Sequence, residues 1–242
     1  MLWRLVLVKR LAAEAIGTAL LLIAVIGSGI MGEHLAAGNV AVALLANSIA
    51  TGGALLCLIY AFGPVSGAHF NPVVSLADTL RGGLRPHEAA AYALAQIAGA
   101  IAGAVAANAM FALPLVSISH HARSGTPILI GEAIATFGLL AVIIGCAGYR
   151  FPITPFAVGG YITGAYWFTS STSFANPAVT IARTLSDTFA GIRPQDAPAF
   201  IAVQILSALA ATVLCSWLFS KGSYETQGAL RLHSQQRAQS DG

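Results

Sequence analysis

Six long apolar stretches decide what this chain can fold into, at 11–31, 40–61, 86–111, 127–148, 152–172 and 194–219. Each approaches or exceeds the roughly 20 apolar residues that a helix needs to cross a bilayer. Lipid offers a backbone no hydrogen bonds, so segments of this length are predicted as helices whose polar groups are satisfied internally. The chain therefore predicts an all-α, multi-pass membrane protein. Its composition agrees: 57% of the residues are hydrophobic and 9% charged, against about 25% charged in an ordinary soluble domain.

The net charge of +3 is spread thinly along 242 residues, without the basic stripe that marks a nucleic-acid partner. Cys57, Cys146 and Cys215 stand singly in apolar stretches, which excludes a disulfide framework and a Cys/His metal site. No metal or cofactor is expected. Residues 221–242 are polar and Gln/Ser-rich, and are expected to form a disordered tail. At the other end, the basic pair Lys9-Arg10 follows an apolar run, the reverse of a cleavable signal peptide. With the N-terminus inside, nine Lys and Arg residues fall on the cytoplasmic side, and only Arg123, Arg183 and Arg193 fall outside. That bias predicts both termini in the cytoplasm and an inner (plasma) membrane location.

The chain also repeats itself. AEAIGTALLL from Ala13 is echoed by GEAIATFGLL from Gly131, NPVVSLADTL from Asn71 by NPAVTIARTL from Asn176, and GLRPHEAAAYALAQ from Gly83 by GIRPQDAPAFIAVQ from Gly191. Three paired blocks in one order define a first repeat over 1–115 and a second over 116–220. Each repeat holds three spans, an odd number, so the second copy enters the membrane from the opposite face. The repeats are predicted to be inverted.

Inversion gives the Asn-Pro blocks their meaning. Each lies between the second and third span of its repeat and is ten residues long, at 71–80 and 176–185. As helices they would be about 15 Å long, half of a roughly 30 Å hydrocarbon core. Asn is a preferred N-cap and Pro a preferred first helical residue. Asn71 and Asn176 are thus predicted to begin two re-entrant half-helices that meet tip to tip in mid-membrane. Each Asn oxygen would cap its own helix, leaving the NH₂ group for the lumen. The two N-terminal dipole ends would add about half a positive charge each, repelling cations.

These features resemble the major intrinsic protein family, the aquaporins and aquaglyceroporins, in a bacterial-type member. The resemblance rests on SGAHFNPVV from Ser66, with Asn71-Pro72-Val73 in place of the usual Asn-Pro-Ala, on Asn176-Pro177-Ala178, on Glu14 and Glu132 in the first span of each repeat, and on Gln96 and Gln204 in the third. It implies six transmembrane helices plus two half-helices, a pore in each protomer, a homotetramer in membrane lipid, and passive conduction rather than catalysis. Most members carry Arg directly after the second box. Here that position is Val179.

By the same resemblance, the other filter positions are Thr51, Ser173 and one on the fifth span. Counting from Pro155 gives Tyr166 and counting back from Asn176 gives Gly164; Tyr166 is favoured. A filter of Thr51, Tyr166, Ser173 and Val179 lacks a guanidinium and is expected to be wide. It would then pass glycerol-like polyols, urea and uncharged metalloid hydroxides such as arsenite as well as water. Arg183, one turn beyond Val179, is expected to be a solvated vestibule residue.

Other polar residues are assigned structural roles. Glu14 and Glu132 are expected to receive backbone N–H groups of the re-entrant loops rather than to carry protons. Gln96 and Gln204 read as polar glue between helices. His69 reads as a hydrogen-bonded loop residue, and His120 and His121 as a solvated pair. Ala13/Gly17, Gly99/Gly103 and Gly160/Gly164 are expected to let helices approach closely.

The rival readings are a strict water channel, a secondary transporter and an intramembrane enzyme. A transporter would need ionisable residues along a coupling path, and beyond Glu14 and Glu132 the spans hold almost none. An enzyme would need a nucleophile with a base, or a metal motif such as HExxH, and the chain has neither.

Overall fold

A computed structural model of the chain describes residues 2–147 and 153–220. Among them are eight helices: α1 (Leu2–Leu35), α2 (Val40–Ser66), α3 (Pro72–Leu80), α4 (Pro86–Met110), α5 (Thr126–Cys146), α6 (Thr154–Phe168), α7 (Pro177–Arg183) and α8 (Ala197–Leu218). Five of these, α1, α2, α4, α5 and α8, are long and apolar enough to cross a bilayer. The expected fifth span at 152–172 is a helix of only 15 residues, about 22 Å long. It stops at Phe168 because residues beyond it are spent on the turn that leads into α7, while the start of the expected span lies outside the described residues. The first helix, in contrast, outruns its expected bounds at both ends, because Leu5–Leu35 is one continuous apolar helix. The expected tail at 221–242 lies outside the described residues.

Local chemistry sets the helix ends. Asn39 caps α2 by accepting from the backbone N–H groups of Ala41 and Val42, and α2 ends at Gly67, whose φ of +90° suits a residue without Cβ. Proline opens α3, α4 and α7, where its missing N–H has no intrahelical acceptor to lose. At the start of α4, the Glu88 carboxylate accepts from the Arg85 backbone N–H at 3.0 Å.

The two halves pack alike. Helix α1 lies against α2 and α4, and α5 lies in the same way against α6 and α8. The halves are tied by α2 on α6, α3 on α8 and α4 on α7. Small residues bring α1 and α4 together: a Cβ at Gly99 or Gly103 would strike the carbonyl of Ala15 or Ala19. The other expected pairs behave differently. Gly17 makes room for the Phe70 ring instead of a helix backbone, Gly160 meets nothing within 4 Å, and Gly164 has only Phe168 of its own helix nearby.

The close crossing of α2 and α6 comes instead from Gly52 and Gly159. A Cβ on Gly52 would lie 2.7 Å from the Gly159 carbonyl oxygen and strike the Thr163 side chain. Gly52→Ala should therefore force the two helices apart and destabilise the protein by about 1–3 kcal/mol. Thermal unfolding in detergent checks this, with Gly53→Ala as the control because a Cβ there meets nothing within 4 Å. Equal melting temperatures for the two variants would contradict the tight crossing.

Candidate functional site

The site is built from two short helices and the strained loops that lead into them. Asn71 adopts an extended backbone, and its side-chain oxygen accepts from the Val73 N–H. Asn176 does the same for the N–H groups of Ala178 and Val179. The two helix starts are in direct contact: the Asn71 NH₂ group donates to the Ala175 carbonyl at 2.7 Å and the Asn176 NH₂ group to the Phe70 carbonyl at 2.8 Å. This corrects the expectation of wholly free amides. One N–H of each group is used in joining the helix tips, because each Asn faces the carbonyl that precedes its counterpart.

The loops reach this geometry through matched left-handed residues. Ala68 and Phe70 have φ of +50° and +49°, and Ser173 and Ala175, at the corresponding places, have +50° and +47°. Each such residue costs on the order of 1–2 kcal/mol, so something must hold them. Glu14 accepts from the backbone N–H groups of His69 (3.0 Å) and Phe70 (2.7 Å), the Ser66 hydroxyl (2.6 Å) and the Gln96 amide (2.8 Å). Glu132 accepts from the N–H groups of Phe174 (3.2 Å) and Ala175 (2.5 Å) and from the Gln204 amide (2.7 Å). Both carboxylates are 0% exposed. Gln96 and Gln204 also donate to Ser75 and Thr180. The repeat marks these two hydroxyls as well, since NPVVS and NPAVT align them four residues after each Asn.

A cavity of about 190 Å³ runs past both asparagines. It is lined by Asp78 and Arg81 at the C-terminal end of α3, by Thr154 and Tyr166 on α6, and by Phe174 and Arg183, which stack on one another at the C-terminal end of α7. Thr51, Tyr166, Ser173 and Val179 all line it. Tyr166 and Thr51 share a hydrogen bond of 3.2 Å between their hydroxyls, whereas Gly164 is not among its lining residues. His69 lines it as well, with Nδ1 3.1 Å from the Ser75 hydroxyl and its ring 5.5 Å from that of Tyr92. Pro72, Val73, Pro177 and Ala178 are in the half-helix starts; Val73 and Ala178 pack into the apolar interior.

A further expectation fails. Arg183 is not solvated but 2% exposed. The short α7 turns its side chain inward, onto the Phe174 ring, with Cζ 3.4 Å from the centroid, and Nε donates to the Ala190 carbonyl. Arg123, buried nearby, donates to the carbonyls of Gly191 (2.8 Å), Phe189 (3.3 Å) and Ser171 (3.3 Å), with Cζ 5.0 Å from the same ring. Arg123 stands alone in a loop, with no motif in the sequence to mark it. His120 and His121 are exposed. The His120 backbone N–H and ring both contact the Asp187 carboxylate, holding Asp187 below the usual carboxylate range. Among the described residues, no group of three or more metal-ligating side chains occurs.

Residues 1–153 match the family described as Major intrinsic protein. The chain is 52% identical over 214 residues to aquaglyceroporin AqpS of Rhizobium meliloti (strain 1021), covering 88% of this chain and 91% of that one. It is 31% identical over 243 aligned residues to a probable aquaporin, AqpM, of Archaeoglobus fulgidus, covering 88% and 96%. Its fold is similar to the X-ray structure of the aquaglyceroporin from Plasmodium falciparum, with a TM-score of 0.65 and 20% identity over 89% of this chain and 96% of that one.

Proposed function

Because the chain belongs to the major intrinsic protein family, whose members are channels and not enzymes, we propose that its cavity is a passive pore for water and small uncharged solutes. Glycerol-like polyols, urea and metalloid hydroxides such as arsenite are its solute classes. The observation that carries this reading is Val179: an apolar side chain lines the cavity at the position after Asn176-Pro177-Ala178, beside Thr51, Tyr166 and Ser173. Thr51, Tyr166, Ser173 and Val179 together form its selectivity filter. Asn71 and Asn176 each keep one amide hydrogen for a passing oxygen. A water that accepts from both turns its own hydrogens away, which breaks a proton wire. The half-helix dipoles oppose cations at the same point.

In this reading, 1–115 and 116–220 are inverted repeats, both termini are cytoplasmic, and the protein is a homotetramer in the inner (plasma) membrane. The packing of α1 with α2 and α4, repeated by α5 with α6 and α8, supports the repeat assignment. Light scattering from proteoliposomes after an osmotic step tests the function. Water flux, glycerol flux and arsenite uptake should each exceed those of protein-free vesicles. Water flux without measurable glycerol or arsenite flux would make this a strict water channel, and uptake that saturates and follows an ion gradient would make it a transporter.

A further inference from the structure

We propose that Arg183 is the cation barrier of this pore, displaced one helical turn from the position that Val179 occupies. The proposal rests on reading the cavity as a channel. Val179 and Arg183 are four residues apart on α7, so their side chains share a face, and both line the cavity. The charge and the bulk that a single filter residue would combine are thereby separated. Val179 leaves the inner level uncharged, and Arg183 puts the guanidinium nearer the mouth.

The surroundings show why a cation is needed there. Three consecutive carbonyls of the α7–α8 connection, beside the C-terminal end of α7, are all occupied by arginine: Phe189 and Gly191 accept from Arg123, and Ala190 accepts from Arg183. Uncovered, carbonyl dipoles gathered at a pore mouth attract cations, as they do in cation-conducting filters. The C-terminal end of α7 adds its own partial negative charge at the same end. Arg123 is not among the lining residues of the cavity and acts as a positioning residue, whereas Arg183 lines it, with its guanidinium stacked on Phe174.

A second observation points to a ligand at this level. Ser173 lines the same cavity, and its hydroxyl is buried with no hydrogen-bond partner among the described residues. Buried hydroxyls are normally satisfied. A neutral hydroxylated solute meets a donor at the mouth, and a cation meets a fixed positive charge.

The test is the ratio of proton leak to osmotic water flux, measured in the same dye-loaded proteoliposomes, for wild type, Arg183→Leu, Arg183→Gln and Arg183→Lys. The two neutral variants should raise the ratio about tenfold or more, the effect of one uncompensated charge in a partly desolvated pore. Arg183→Lys should stay near the wild-type ratio. The double variant Val179→Arg with Arg183→Leu should bring the ratio back down, because it restores a guanidinium one turn inward. Arg183→Gln keeps a donor for the Ala190 carbonyl and serves if the leucine variant does not reconstitute. A folded neutral variant as proton-tight as wild type would overturn the proposal. Glycerol flux through the wild-type protein tests the wide pore separately: its absence, with a leaky Arg183→Gln, would sink that reading and leave this one standing.

Discussion

Replacing Glu14 with alanine should prevent the chain from reaching a stable folded state. Four donors converge on this carboxylate: the Ser66 hydroxyl, the His69 and Phe70 backbone N–H groups, and the Gln96 amide. Each donor left buried without an acceptor costs about 1–3 kcal/mol, and a summed loss on the order of 5 kcal/mol rivals the whole stability of a typical domain. The left-handed residues Ala68 and Phe70 would lose their restraint at the same time. Glu132→Ala should follow the same course, with three donors released. Size-exclusion profiles and thermal unfolding in detergent check the expectation, with Glu33→Ala as the control because Glu33 is exposed. A monodisperse Glu14→Ala protein with the melting temperature of wild type would show that the loop holds its shape without the carboxylate.

The second large effect concerns selectivity. Val179→Arg should lower glycerol permeability roughly tenfold or more, the scale on which a shaped site rejects a solute it no longer fits. Water flux should fall far less, since one water passes where a three-carbon polyol is excluded. The new guanidinium would sit beside Thr51, Tyr166 and Ser173, which line the same cavity. It would also lie four residues from Arg183 on the same face of α7, so the double variant with Arg183→Leu, which avoids two guanidinium groups there, is measured beside it. Stopped-flow light scattering with glycerol and with an impermeant sugar separates the two fluxes. Unchanged glycerol permeability in a well-folded variant would remove Val179 from the filter.

The two effects bear on different parts of the site. Glu14 and Glu132 act through the backbone, shaping loops that no apolar packing would hold in a left-handed conformation. Val179 acts through its side chain alone. A variant set that kept the first pair and altered the second residue should change what passes without changing whether the protein folds.

The main architecture was legible in the residues because it follows from interactions that are local or repeated. Apolar length specified the long helices, Asn followed by Pro specified where α3 and α7 begin, and the echo between the halves singled out Glu14 with Glu132 and Gln96 with Gln204. What the chain could not disclose alone was where three-dimensional neighbours compete. The amides of Asn71 and Asn176 are shared with carbonyls over 100 positions away. The close α2–α6 crossing uses Gly52 and Gly159 and not the spaced pair Gly160/Gly164. Arg183 reads as an exposed cation until Phe174, Ala190 and the isolated Arg123 are brought around it. Burial of a charge depends on the partners that folding assembles, and those partners come from distant loops with no periodicity to announce them.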